Sequence, residues 1–440
     1  MATSTPWNAD WELSPAFIPK QRYLSREFAQ LEAERLWPRV WQVACREDEL
    51  VEVGSFVEYE VGHESILIVR SGEEELKAFF NSCRHRGRRL AAGSGRFEGR
   101  TITCPSHGWC WKLDGRSHFV MDREEFDIQH VDDARLHLVE CCLDTWGGFV
   151  WVHMDSDAAP LAEYLAPLDK ILAPFELERT HPIFHKRVEL NANWKTVLDA
   201  FNEGYHALAI HPETRSVSTD NSDATYYQVA NGHSYYTYSP GMLERSARRL
   251  GLDEREHFAN SIAFLVDELR GVYVERDRHL AAQLVARDVP EGSSVGAEFG
   301  RLQAEYARGS GAFLPELSMA SAEHILGVHF AFPNFMVLPG QGSALFYRSR
   351  PIGDDPDRCV FEIWSTRTYG ESEEWSACEC QDLEPGDRDA WGLVPYQDVS
   401  NLEAAHRGMK SQAFEGLVLN TRQEMGLHHM HCEMDRLMRD

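Results

Sequence analysis

The chain has 440 residues, 43% hydrophobic and 26% charged, an ordinary globular composition whose length points to two domains rather than one core. Its net charge of −26 argues against nucleic acid and anionic membranes as partners, since both are bound through an excess of Lys and Arg. No apolar run is long enough to cross a bilayer, residues 1–20 contain no signal-peptide core, and eight of the ten cysteines follow no regular framework, so a reducing compartment, the cytoplasm, is expected.

Phe28, Leu31, Leu36 and Trp37 recur at helical spacing behind a capping Ser25, predicting an amphipathic first helix within 22–41. From about 42 the pattern changes to short β runs broken by glycine, at 56–61, 65–70, 76–80, 101–104 and 148–153. These predict a small antiparallel β domain over 42–156. Two of its loops carry Cys83-Arg84-His85 and Cys104-Pro105-Ser106-His107-Gly108-Trp109. Two thiolates and two imidazoles in this alternation suit a Rieske [2Fe–2S] centre, with Cys83 and Cys104 on one iron and His85 and His107 on the other. Zinc is the competing occupant, but zinc sites usually pair Cys with Cys and His with His. Cys378-Glu379-Cys380 has no nearby partners and makes a poor site.

An Asp/Ala/Pro-rich passage at 155–174 marks the crossing into a second domain, which opens with a strand at 181–190 and a helical stretch from 193 to about 210. That stretch ends in His206 and His211, which with a carboxylate can form the facial triad of a non-haem Fe(II) site. Five residues turn about 500°, some 140° off one face, so the helix should end or distort between the two histidines. Residues 213–320 are irregular. Charged helical segments at 242–257 and 273–287 and a Gly/Ser-rich passage at 291–312 suggest a lid or pocket roof. Strands are predicted at 324–338, 343–350 and 358–369, and a helical period through Leu402, Ala405, Met409, Phe414, Leu417 and Val418 predicts long terminal helices.

With both sets of motifs in view, the chain resembles the catalytic α subunit of Rieske non-haem iron oxygenases of the ring-hydroxylating type. The resemblance covers almost the whole chain and rests on Trp37-Pro38-Arg39-Val40-Trp41, Asn81 to Gly87, the second loop through Trp109, Asn193-Trp194-Lys195, and Tyr205-His206 with His211-Pro212. It implies an α+β protein. Residues 1–41 would form a helical segment packing on the catalytic domain, 42–156 an all-β Rieske domain, and 157–440 a helix-grip catalytic domain of antiparallel sheet and long helices.

The resemblance also implies Asp398 as third iron ligand, with Glu403 as the fallback. Glu203 would be the bridge carrying an electron from the cluster of a neighbouring subunit, His107 facing Glu203 across a head-to-tail ring, most often a trimer. The implied activity is that of a terminal oxygenase using O2 and electrons from an NAD(P)H-dependent reductase, with or without a ferredoxin, to hydroxylate or dihydroxylate an apolar, aromatic or cyclic substrate. No flavin or nucleotide fingerprint is present, so NAD(P)H would act only through the reductase. The bridge is usually Asp, and Glu203 resembles relatives that oxidise quaternary amines, so a quaternary-amine monooxygenase or demethylase is the alternative, and an electron carrier lacking oxygenase activity a further one. By position, Phe201, Asn202, Ala207 and Leu208, together with His329, Phe330, Phe332 and Phe335, are candidates for the substrate pocket.

Overall fold

The computed structural model describes residues 6–127, 129–216, 224–239 and 241–439. Part of the irregular stretch after 213, namely 217–223, lies outside them. The chain divides into two compact units, Leu31–Tyr164 and Met1–Gln30 with Leu165–Asp440. The switch points therefore fall somewhat to either side of the sequence boundaries at 41/42 and 156/157.

In the first unit alternating β-branched and aromatic residues pair into a seven-stranded antiparallel sheet. Its order is Gln42–Arg46, Phe149–His153, Glu140–Trp146, Leu76–Phe80, Glu64–Arg70, Ser55–Val61 and Ser94–Arg96. A smaller sheet, Thr101–Thr103, Cys110–Lys112 and Ser117–Phe119, completes the unit. Leu67, Phe79, Ile102 and Trp111 are buried in one core beneath the two cysteine loops, and the indole N–H of Trp111 donates to the Leu136 carbonyl at 2.6 Å.

The second unit is built on an eight-stranded sheet in the order Ala224–Gln228, Ser234–Tyr238, Val328–Ala331, Phe335–Gly340, Ser343–Pro351, Cys359–Arg367, His181–Leu190 and Cys380–Asp382, with only the last pair parallel. Helices Trp194–Asp199, Leu393–Met409 and Met425–Arg439 belong to the same unit.

Three sequence expectations are corrected here. The Gly/Ser-rich passage at 291–312 contains a sixteen-residue helix, Val295–Ser310, capped by Ser294, because Val295, Phe299 and Leu302 bury into the core of the neighbouring helices. The terminal helical period is broken: Leu417 and Val418 lie in a short strand, Gly416–Val418, paired with Phe17–Pro19. The first helix is also shorter than 22–41. Arg26–Leu31, with Ser25 Oγ accepting the Phe28 N–H at 3.1 Å, passes into a wide turn at Glu32–Leu36 and a tight one at Trp37–Arg39. Among the described residues no helix is long and apolar enough to cross a membrane.

Candidate metal centres and active-site chamber

The two cysteine loops close with the same backbone pattern. Cys83 N–H donates to the Arg88 carbonyl at 2.8 Å and the Cys83 carbonyl accepts Gly87 N–H at 2.9 Å; Cys104 N–H donates to Trp109 at 2.8 Å and its carbonyl accepts Gly108 N–H at 3.0 Å. Each loop turns through a left-handed glycine, Gly87 (φ 73°) or Gly108 (φ 69°), where a side chain would be strained. Asn81 fixes the exit of the first loop, its Oδ1 accepting Leu90 N–H and its Nδ2 donating to the Ala91 carbonyl, both at 2.8 Å.

The loops face a cavity of about 310 Å³ lined by Cys83, His85, Cys104 and His107. Both thiols are buried, and burial pushes the Cys83 thiol up, so a thiolate here requires a cation beside it. His85 stacks on Trp109 with ring centroids 4.7 Å apart. Its Nδ1 is buried without a hydrogen-bond partner, and burial and the nearby His107 pull its imidazole down toward the neutral form a ligand needs. His107 is exposed. Two thiols and two imidazoles around one cradle fit a [2Fe–2S] cluster with split ligation.

The second centre starts from helix Trp194–Asp199, capped by Asn193 and buried along its whole length. The helix stops ahead of His206, and a single turn, Ala207–Ile210, separates the two histidines. One break thus precedes both histidines, and the new turn itself ends between them, as their spacing requires. Glu203 caps the new turn: its Oε2 accepts the backbone N–H groups of Tyr205 and, at 3.1 Å, His206. His211 leaves that turn with φ −112° and ψ 67°, conformation enough to swing it back toward His206.

His206, His211 and Asp398 each offer a donor atom within 4.8 Å of the others. Asp398 Oδ1 lies 2.9 Å from His211 Nε2 and 3.6 Å from His206 Nε2, buried and without a well-directed hydrogen bond. The outer nitrogens are held: His206 Nδ1 by Glu203 Oε1 at 2.6 Å, and His211 Nδ1 by Gln397 Oε1 at 2.8 Å. These partners fix the tautomers and aim both Nε2 atoms at Asp398. Burial pushes the His206 imidazole down, but the Glu203 and Asp398 carboxylates outweigh it and hold it up at about 9. Such a concentration of negative charge is the environment a divalent cation fills. Two imidazoles and a carboxylate on one face suit Fe(II), with the remaining positions open. Glu403 accepts from Asn191 instead, at 2.9 Å.

The triad opens on a chamber of about 180 Å³. Phe201, Ala207 and Leu208 line it, as do Tyr236, Tyr238 and Tyr347, with Met242, Leu265 and Leu269 contributed by the irregular region. The structure does not bring the other pocket candidates there. Asn202 is buried and accepts from Ser234 at 2.9 Å, His329 is bonded to His324 at 2.9 Å, and Phe330, Phe332 and Phe335 lie in the sheet's hydrophobic interior. The inward face of a strand covers more than the site, so aromatic content alone does not select it. Tyr236 and Tyr238 were missed because their hairpin, Ala224–Gln228 with Ser234–Tyr238, sits in the stretch that reads as loop. The alternation Tyr236–Tyr238, opposite Tyr226, was the available signal. Gln397 was visible beside Asp398 but only its contact with His211 gives it a role.

Residues 177–440 match the ring-hydroxylating alpha subunit (catalytic domain) family, and residues 40–125 match the Rieske [2Fe-2S] domain. The chain is 30% identical to the carnitine monooxygenase oxygenase subunit of Escherichia coli strain K12 over 240 residues, 54% of this chain and 62% of that protein. It is 25% identical over 215 residues to the glycine betaine monooxygenase oxygenase subunit of Pseudomonas aeruginosa strain UCBPP-PA14, 47% of this chain and 48% of that one. The matched stretch thus spans less than two thirds of either relative's length. A naphthalene 1,2-dioxygenase structure superimposes with a TM-score of 0.67 at 17% identity, covering 99% of this chain and 95% of that one. The chain therefore belongs to the ring-hydroxylating alpha subunit family and carries that family's Rieske [2Fe–2S] domain ahead of the catalytic iron domain.

Proposed function

We propose that this protein is the terminal oxygenase component of a Rieske system, acting on an apolar, aromatic or cyclic substrate. When bound, the cluster would relay single electrons from a reductase and the mononuclear iron would use them with O2 to oxygenate a C–H or C=C bond. Cys83, His85, Cys104 and His107 would hold the cluster, and His206, His211 and Asp398 the iron. The observation that carries the reading is the triad opening on a chamber walled by rings and aliphatic side chains, with no Lys or Arg among its described lining residues.

Each residue's part follows from its contacts. Glu203 orients His206 and holds the backbone turn that presents it. The exposure of His107 supports a head-to-tail homo-oligomer, a trimer, in which His107 of the partner subunit meets Glu203. Phe201 stacks on Tyr347 and Phe361, with centroids 4.7 and 5.2 Å apart, and these rings exclude water from the reacting face. The electron donor is an NAD(P)H-dependent reductase, directly or through a ferredoxin, and cysteines that follow no regular framework in the sequence fit a cytoplasmic location.

A second reading, oxidation of a quaternary amine, is favoured by Glu203 at the bridge position and by the four rings of Phe201, Tyr236, Tyr238 and Tyr347, which can surround an ammonium. The lack of a lining cation argues against a carboxylate on that amine.

Low-temperature EPR on reduced, nitric-oxide-treated holoenzyme, with arenes and with quaternary amines, tests the proposal. A Rieske signal plus a high-spin Fe–NO signal that shifts with one ligand class is expected. A Rieske signal with no Fe–NO species in iron-replete protein would leave an electron carrier and sink the oxygenase reading.

A further inference from the structure

Beside the iron-facing chamber lies a larger one of about 490 Å³, and Tyr238, Met242 and Leu326 line both. The inner chamber is smaller than the roughly 300–1,000 Å³ typical of small-molecule sites, and the outer one falls within that range. A substrate longer than one or two rings would have to extend from one into the other.

The chemistry of the outer chamber is one-sided. Its walls include the rings of Tyr238, Phe258, Tyr273 and Phe299 and two carboxylates, the buried Glu244 and the exposed Glu316, and its described lining holds no Lys, Arg or His. Its two glutamines turn their donors elsewhere: Gln303 Nε2 to Asp277 Oδ1 at 2.8 Å, and Gln341 Nε2 to the Pro315 carbonyl at 3.1 Å. The Gln341 amide oxygen stands about the chamber-lining Gly300, 4.0 Å from where its Cβ would lie. Glu244 accepts one bond, from Gly296 N–H to Oε1 at 3.0 Å, at the first turn of helix Val295–Ser310, so half of its carboxylate is committed to the fold. Carboxylate and amide acceptors among aromatic faces, with no cation of the protein's own, are the partners of an organic ammonium group.

We propose that the outer chamber is a specificity site for the far end of an elongated substrate carrying a protonated amine, while its apolar end occupies the chamber at the iron. This rests on the oxygenase reading and goes further by naming the substrate class, an aryl- or cycloalkyl-alkylamine. It differs from the quaternary-amine reading, in which the nitrogen itself sits at the metal. Glu244 acts by charge and Gly300 by leaving room: a Cβ there would have the Gln341 oxygen, at 4.0 Å, as its neighbour.

The test is calorimetric titration of anaerobic, iron-replete holoenzyme with 4-phenylbutylammonium, 4-phenylbutan-1-ol and 4-phenylbutanoate, and with benzylammonium as the short control. The long amine should bind about tenfold more tightly than the alcohol and more tightly still than the carboxylate. Glu244→Gln keeps an acceptor for Gly296 N–H and should remove most of that preference. Gly300→Leu, a favourable change inside a helix, should weaken the long amine about tenfold and leave benzylammonium unchanged. Equal binding of the three long probes, or a preference that survives both variants, would overturn the proposal. Because binding is read without turnover, a separate assay for 18O incorporation from 18O2 reports on the oxygenase reading alone.

Discussion

In the N-terminal unit four donors sit on two loops closed by matching backbone hydrogen bonds, whereas in the catalytic unit three donors come from a broken helix and from a helix nearly two hundred residues further along. The loops are local devices: Gly87 and Gly108 turn the chain, and the cysteines and histidines follow at fixed offsets. The proposed iron triad is a tertiary device. Its geometry depends on Glu203 capping the turn that carries His206, on His211 leaving that turn, and on Gln397 and Asp398 arriving side by side on Leu393–Met409. A locally built site should therefore fail by losing its cofactor, and a tertiary one should degrade in steps as its supports are removed.

The largest effect should come from breaking each centre outright. Cys104→Ala should abolish the [2Fe–2S] absorption and turnover together, while His206→Ala should leave that absorption intact and lower turnover below about 1%. Metal analysis with visible spectroscopy separates the two, and loss of the cluster signal in His206→Ala would show that the units are not independent. Next is Glu203→Gln, which keeps a hydrogen-bond acceptor for the turn but removes the charge. Turnover should fall about 100-fold with both metals retained, and the deficit should appear in single-turnover electron transfer rather than in substrate binding. Retained transfer at the parent rate would remove Glu203 from the bridge.

A smaller effect is expected from Gln397→Ala, which frees His211 Nδ1. Iron affinity, measured by chelator competition, should drop about tenfold, with the cluster untouched.

The smallest effect concerns stability. Asp199 ends the helix before the break, with Oδ2 accepting the Tyr23 hydroxyl at 2.5 Å and Oδ1 unpartnered, and burial pushes its carboxyl up to about 7. A carboxyl raised in the fold binds its proton more tightly there than in the unfolded chain. Its contribution to stability is therefore greatest below about pH 4 and declines as pH rises through 7. Asp199→Asn, which still accepts from Tyr23, should flatten this slope and raise stability at pH 8 by about 1–3 kcal/mol. Thermal midpoints of the holoenzyme at pH 5 and pH 8 check it. An unchanged slope would mean that another group compensates the Asp199 charge.

The division between sequence and structure follows the same contrast. The cluster loops were legible because ligands, glycines and Asn81 lie within a few residues of one another, so spacing encodes geometry directly. His206 and His211 were legible for the same reason, although the earlier end of the helix at Asp199 and the capping of the new turn by Glu203 were not. Asp398 entered through resemblance alone, because nothing near it in sequence reports a partner across the fold.

The chamber lay further out of reach. Phe330, Phe332 and Phe335 look as suitable as Tyr236 and Tyr347 in sequence, yet the former fill the interior and only the latter line the chamber. Helix Val295–Ser310 formed against its glycines because burying Val295, Phe299 and Leu302 outweighs local propensity. By itself, then, the sequence determined the α+β organisation with its Rieske and catalytic domains, and it singled out the candidate cluster donors and the paired histidines, each set encoded over a few residues. Only the tertiary structure decided which carboxylate and which rings surround the second centre, because those neighbours are chosen by packing between segments far apart in the chain.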